Sequence, residues 1–276
     1  MGKVHEALKK ALKEENSGSD AMLADLEADL GKASEVSHGA ERLLWNEKLL
    51  AANESRSEIS ENFRRLRTKI LHPQEGRPPR VILVTSVAPG EGKSFVCANL
   101  GVTLATGLEQ HALLVDCDLR RPTLAGMFGL KNDIGVVDHL MDGKDISHLI
   151  KKTSLDKLSI IPSGRPPVNP AEVIGSEKMV SLIEEVVNRY GDRYVLLDGP
   201  PMYAASETMV LAKFVDAIVL VVRWGVAGRE QAKELIESLG RKKVIGIVFN
   251  AYEESKLGSK LSGYYYDQYT YGEEKK

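Results

Sequence analysis

Val81-Ile-Leu-Val-Thr-Ser-Val-Ala-Pro-Gly-Glu-Gly-Lys-Ser94 is the stretch from which the rest of the chain can be read. Its first half is apolar and β-branched, which predicts a buried strand over Val81–Thr85. Its second half is a glycine-bearing loop that runs into Lys93-Ser94 and a helical stretch, Ser94–Thr106. Strand, glycine loop, Lys-Ser and helix in that order make a P-loop. Gly90 and Gly92 let backbone N–H groups turn inward around phosphate oxygens, and the helix N-terminus adds its dipole. Lys93 would reach the β- and γ-phosphates of ATP, and the Ser94 hydroxyl would ligate Mg²⁺. Pro89, Gly90, Glu91, Gly92, Lys93, Ser94 and Phe95 are therefore the expected nucleotide contacts. The strict motif has glycine at position 87, where this chain has Val87. The Gly-Lys-Ser geometry does not depend on that position.

Downstream, short apolar runs alternate with helical segments. Further strands are predicted at Leu113–Asp116, Leu158–Pro162, Tyr194–Asp198, Ala217–Val222 and Val244–Phe249, and helices at Ala171–Arg189 and Gly228–Leu239. Near-continuous apolar strands separated by helices imply an α/β P-loop NTPase fold, a mostly parallel sheet with helices on both faces. Right-handed crossovers put the carboxyl ends of the strands on one edge, where ligands bind.

Two of those strands end in acids: Leu113-Leu-Val-Asp116-Cys-Asp118-Leu-Arg120-Arg121-Pro122 and Tyr194-Val-Leu-Leu-Asp198-Gly-Pro-Pro201. An unpaired aspartate after an apolar strand is costly to bury, so each is expected at the sheet edge facing a cation. Asp198 fits the Mg²⁺-holding acid of a Walker B strand. Asp116 and Asp118, two apart, can face the same side of the site. One of them would hold metal or its water while the other accepts a hydroxyl proton. Lys93, Asp116, Asp118 and Asp198 are thus the candidate catalytic residues, and Ser94, Asp116 and Asp198 the candidate metal ligands. The competing reading of each aspartate is a turn or cap.

Composition narrows the class. The 276 residues are 43% hydrophobic with a formal charge of −2, ordinary for a globular protein and unsuited to nonspecific nucleic-acid binding. Cys97 and Cys117 fall in apolar segments and are expected to be reduced core residues, as in a cytoplasmic protein. No apolar run is long enough to cross a bilayer, and Met1–Asn16 lacks the apolar block of a signal peptide. Three regions are expected: a helical and flexible extension over 1–55, the P-loop domain over 56–252, and a tyrosine-rich tail over 253–276. In the extension, Val4, Ala7, Leu8, Ala11 and Leu12 repeat at helical spacing. That helix either packs on its own domain or docks on a partner or membrane surface. Residues 16–40 have the composition of a linker.

Two segments are left. Glu61, Arg64 and Arg67 lie three apart on a predicted helix and cover an arc of about 120°. They are either a solvated face with local ion pairs or a contact surface. Tyr264, Tyr265, Tyr266, Tyr269 and Tyr271 crowd five of the nine tyrosines into eight residues, with no period that would bury them, so they form either an exposed set of acceptors or a sticky aromatic tail or extra edge strand.

Taken together, these motifs resemble the bacterial tyrosine kinases of exopolysaccharide synthesis and export. That family has a P-loop like Ala88-Pro-Gly-Glu-Gly-Lys-Ser94, a Walker A′ strand ending Asp-x-Asp-x-Arg (here Asp116, Asp118, Arg120), and a Walker B strand like Leu197-Asp198-Gly-Pro-Pro. Glu61-Asn-Phe-Arg64-Arg-Leu-Arg67 resembles its Glu-x-x-Arg-x-x-Arg subunit-contact motif, and Asn169-Pro170-Ala-Glu172 its Asn-Pro-x-Glu loop. The tail resembles its autophosphorylated tyrosine cluster. The resemblance implies transfer of the ATP γ-phosphoryl group to tail tyrosines, in trans, within a ring-like homo-oligomer that comes apart with phosphorylation. It also implies a transmembrane activator or chain-length regulator that recruits the chain to the inner face of the membrane, and a cognate tyrosine phosphatase. Lys3-Val-His-Glu-Ala-Leu-Lys-Lys-Ala11 resembles the start of stand-alone autokinases from exosortase-linked polysaccharide clusters.

Two other functions compete. One is a partitioning-type regulatory ATPase, a nucleotide switch whose relatives carry a lysine five positions before the P-loop lysine, where this chain has Ala88. The other is a non-enzymatic, ATP-assembled scaffold. A nucleotide switch has no reason to carry a tyrosine cluster, and incorporation of labelled phosphate into tyrosine would separate both from a kinase.

Overall fold

A computed structural model describes residues 45–53, 57–204 and 206–251. The predicted helix near Val4, the 16–40 linker and the five tail tyrosines lie outside them.

Seven strands form one sheet in the order β3-β4-β2-β5-β1-β6-β7. They are β1 (Val81–Ser86), β2 (His111–Asp116), β3 (Lys151–Lys152), β4 (Leu158–Ile161), β5 (Arg193–Asp198), β6 (Ala217–Arg223) and β7 (Val244–Asn250). All pairings are parallel except β3–β4. The sheet is an α/β P-loop layout, as the alternation of apolar runs and helices predicts. β1, β2 and β5 are buried along nearly their whole length because helices cover both faces.

On one face lie α1 (Leu50–Asn53), α2 (Glu58–Leu71) and α3 (Lys93–Ala105). α3 is apolar all round and sandwiched between the sheet and α2, so it has no solvent face to pattern. Phe63 of α2 meets Phe95 edge-on, ring centroids 6.0 Å apart. Trp45 and Leu49, which the sequence reading places in the extension, are buried in this same core, Trp45 edge-on to Phe128 at 5.1 Å. Asn99 of α3 ties that segment down: its side chain accepts from Ala51 N–H and donates to Lys48 O.

The segment after β2 holds the short helices α4 (Leu124–Met127) and α5 (Val136–Asp142). The opposite face is covered by α7 (Glu177–Arg189) and α9 (Arg229–Leu239), with the short helices α6 (Pro170–Ile174) and α8 (Glu207–Leu211). Met179, Leu182, Ile183 and Val186 recur at helical spacing and form the buried stripe of α7.

Two expectations change. The helix predicted over Ala171–Arg189 is two helices, α6 and α7, because Ser176, at the N-cap position of α7, is extended with φ −77° and ψ 153° and breaks the helical path between them. β3 was not foreseen: two lysines at a polar edge show no period-2 pattern.

Candidate active site

The carboxyl ends of the parallel strands share one edge, and the predicted polar residues gather there. Between β1 and α3 the loop turns at Gly90 and Gly92, both left-handed with φ of 82° and 92°, a conformation favouring glycine. The N-terminal N–H groups of α3 thereby face the cradle, as phosphate binding requires. Pro89 and Gly90 are exposed, while Gly92 and Ser94 are half-buried. Phe95 lies in the first turn of α3, half-buried, with its ring edge-on to Phe63.

Lys93 is buried among three carboxylates. Its Nζ lies 2.7 Å from Asp118 Oδ2 and 3.6 Å from Asp198 Oδ1, and it donates to Ser94 Oγ at 3.2 Å. Burial pushes the ammonium pKa down, but Asp198, Asp118 and Asp116 outweigh it and hold it above the ordinary lysine value. Asp116 and Asp198 are register neighbours on adjacent strands, both fully buried. Burial raises both carboxyls above the usual range; Asp198 adds to this at Asp116, while Lys93 opposes it at both.

The two aspartates differ in what their oxygens do. Asp116 accepts the N–H groups of Asp118 (3.2 Å), Thr123 (3.2 Å) and Leu124 (3.1 Å), so it organises the loop into α4. Its predicted role as a metal ligand competes with this capping. Both oxygens of Asp198 are buried without a hydrogen-bond partner. A buried carboxylate beside a phosphate cradle, with no hydrogen bond and only the Lys93 ammonium at 3.6 Å, has room for a second cation, and Mg²⁺ is usually held by one or two carboxylates, water and phosphate oxygens. Asp198 and the Ser94 hydroxyl are therefore the residues that fit Mg²⁺ best. Asp118 Oδ1 accepts Arg121 N–H at 3.1 Å, while Oδ2 faces Lys93.

Glu91, expected among the nucleotide contacts, turns the other way. Its side chain is fully buried and accepts from Ala88 N–H (2.8 Å) and from Arg223 N–H (3.2 Å) at the end of β6. Asn250, at the end of β7, donates to Glu91 O at 2.8 Å, and Arg223 Nη1 to Gly90 O at 3.4 Å. Sequence reasoning missed Arg223 and Asn250. Each is a polar residue closing an apolar strand, the same signal that singled out Asp116 and Asp198.

On α2, Arg64 pairs with Glu61 at 2.7 Å and Arg67 donates to Thr103 O of α3 at 2.9 Å. Asn169, before α6, donates to Glu172 at 3.2 Å, so the Asn-Pro-x-Glu segment is tied to itself. Cys97 and Cys117 are free and buried, and burial raises both thiols. No described helix is long and apolar enough to cross a membrane.

Residues 82–273 match the CobQ/CobB/MinD/ParA nucleotide binding domain family. The tyrosine-protein kinase YwqD of Bacillus subtilis (strain 168) is 33% identical over 219 residues, 79% of this chain and 90% of that protein. The crystal structure of the chimerical protein CapA2B2 superposes with a TM-score of 0.68 at 32% identity, covering 76% of this chain and 92% of that one. The kinase domain of Escherichia coli tyrosine kinase ETK gives a TM-score of 0.67 at 25% identity, over 75% and 82% of the two chains. A P-loop lysine among three strand-end aspartates and these matches point the same way: the chain belongs to the bacterial tyrosine-protein kinases built on the CobQ/CobB/MinD/ParA nucleotide-binding domain.

Proposed function

We propose that this chain transfers the γ-phosphoryl group of ATP to tyrosines of its own C-terminal cluster, Tyr264, Tyr265, Tyr266, Tyr269 and Tyr271. The observation that carries the reading is Lys93 held between Asp118 and the unsatisfied Asp198 at the mouth of a glycine loop. Backbone N–H groups of the loop and of α3 bind the phosphates, and Lys93 leaves Asp118 to neutralise the β- and γ-phosphate oxygens. Asp198 and Ser94 would hold Mg²⁺, which when bound would further neutralise the phosphate charge. Asp118 accepts the tyrosine hydroxyl proton as the phenolic oxygen bonds to phosphorus and the bond to the β-phosphate oxygen breaks, releasing ADP.

The wider setting follows the family resemblance: trans-phosphorylation within a ring-like homo-oligomer, a transmembrane activator or chain-length regulator at the inner membrane face, a cognate tyrosine phosphatase, and control of exopolysaccharide export. The test is incubation with Mg·ATP followed by mass spectrometry of the C-terminal peptide. Phosphate is expected on tail tyrosines of the parent and on none in Lys93→Met, whose circular dichroism should match the parent's. ATP hydrolysis with no phosphotyrosine would instead favour the partitioning-type regulatory ATPase.

A further inference from the structure

Glu207, nine residues beyond Asp198, opens α8, yet its side chain is 1% exposed. Its Oε1 accepts from both Nε and Nη2 of Arg120, each at 2.9 Å, while Oε2 is buried with no hydrogen bond. A buried carboxylate with one oxygen unfilled is costly, and the Arg120 guanidinium is the cation that compensates it. Arg120 needs no such partner for its own solvation, since its side chain is 49% exposed.

The ion pair joins the two loops that carry the acids of the site. Arg120 lies two residues past Asp118, whose Oδ1 accepts Arg121 N–H and whose Oδ2 faces Lys93. Glu207 is anchored to the segment after β5: the Thr208 hydroxyl donates to Pro200 O at 2.7 Å, as does the Thr85 hydroxyl of β1. We propose that Glu207 is a positioning residue that, by gripping Arg120, fixes the Asp116–Arg121 loop so that Asp118 stays against Lys93. Its kinetic consequence rests on the phosphoryl-transfer reading above; its structural claim does not.

The experiment compares the full chain with Arg120→Ala, Glu207→Ala, the double variant and Glu207→Gln. Hydrogen exchange of amides 117–124 and steady-state phosphotyrosine formation are both read. Each alanine variant should speed exchange of the Asp118 and Arg121 amides about tenfold or more and lower kcat about 10- to 100-fold, with KM for ATP within about threefold. The double variant should be no worse than the poorer single one, because the pair acts as a unit. Glu207→Gln keeps an acceptor for Arg120 and removes the buried charge, so it should fold even where alanine fails and should lose less. Unchanged exchange over 117–124 in the Glu207 variants, or additive losses of kcat, would overturn the proposal. A parent that forms no phosphotyrosine would sink the function reading instead, and the exchange data alone would then decide the latch.

Discussion

Glu91 sits in the middle of the phosphate loop but serves its frame, holding Ala88 N–H and Arg223 N–H from inside. Position 88, where the partitioning-type ATPases carry a lysine, is alanine here, and its backbone N–H is stapled to the loop by Glu91. Glu91→Ala leaves two inward N–H groups without acceptors, at a cost of about 1–3 kcal/mol. If that falls on the loop, affinity for ATP drops roughly 5- to 100-fold, which calorimetric titration would register. Equal affinity in variant and parent would show that the loop keeps its shape unaided. Asp198 presents the opposite case, a group whose ionised form the fold disfavours. Its pKa is raised by burial despite Lys93, so the folded protein is less stable for carrying the charge. Asp198→Asn removes one of three carboxylates that face a single ammonium, so it should raise the melting temperature while abolishing Mg²⁺-dependent transfer. A lower melting temperature in that variant would mean that the carboxylate earns its place structurally.

The strands were legible because each is a short apolar run, and the P-loop because its geometry needs glycine at fixed places. What escaped the sequence has identifiable physical causes. The restart at Ser176 interrupts a stretch whose hydrophobic spacing resumes in phase, so a single helix fits the pattern as well as two. β3 owes its existence to pairing of Lys151 and Lys152 with Ser159 and Ile160, a long-range fact that two lysines do not announce. The division of labour between Asp116 and Asp198 depends on where the chain goes after β2, since the N–H groups of Thr123 and Leu124 are what claim Asp116. Helix α2 was ambiguous in the sequence, and its three charges prove unlike one another. Arg67 binds a backbone carbonyl of α3 and so contributes within one chain, whereas Glu61 and Arg64 pair on a half-exposed face. Arg67→Ala should cost about 1–3 kcal/mol in thermal stability, since the Thr103 carbonyl loses a charged donor. Glu61→Ala with Arg64→Ala should cost under about 1 kcal/mol, as exposed pairs do, and should act instead on oligomer size. Light scattering beside thermal melting separates the two; equal melting temperatures for both variants would refute the distinction.

β7 ends at Asn250, on the same sheet edge as Lys93, so the last described residues before the tail lie at the rim of the site. The fourteen residues from Asn250 to Tyr264 could span roughly 45 Å when extended. That reach admits a neighbouring subunit's site as well as the chain's own, and only mixing can tell them apart. A full chain carrying Lys93→Met keeps every tail tyrosine but lacks the charge that neutralises the phosphates. A chain with all five tail tyrosines changed to phenylalanine keeps the catalytic acids but lacks the acceptor oxygens. Incubated alone with Mg·ATP, each should carry no tail phosphotyrosine. Mixed, the Lys93→Met chain should acquire it, at a rate that rises with the concentration of its partner. No phosphate on the mixture would mean that each chain modifies its own tail. Each phosphate adds about −1.5 to −2 charges at pH 7, which an edge already lined by Asp116, Asp118 and Asp198 should repel. The product tail should therefore leave its neighbour, and an assembly held together by tails should shrink as phosphorylation proceeds and recover with a tyrosine phosphatase. If the five-phenylalanine chain shrank with Mg·ATP as the parent does, nucleotide and not tail charge would drive disassembly.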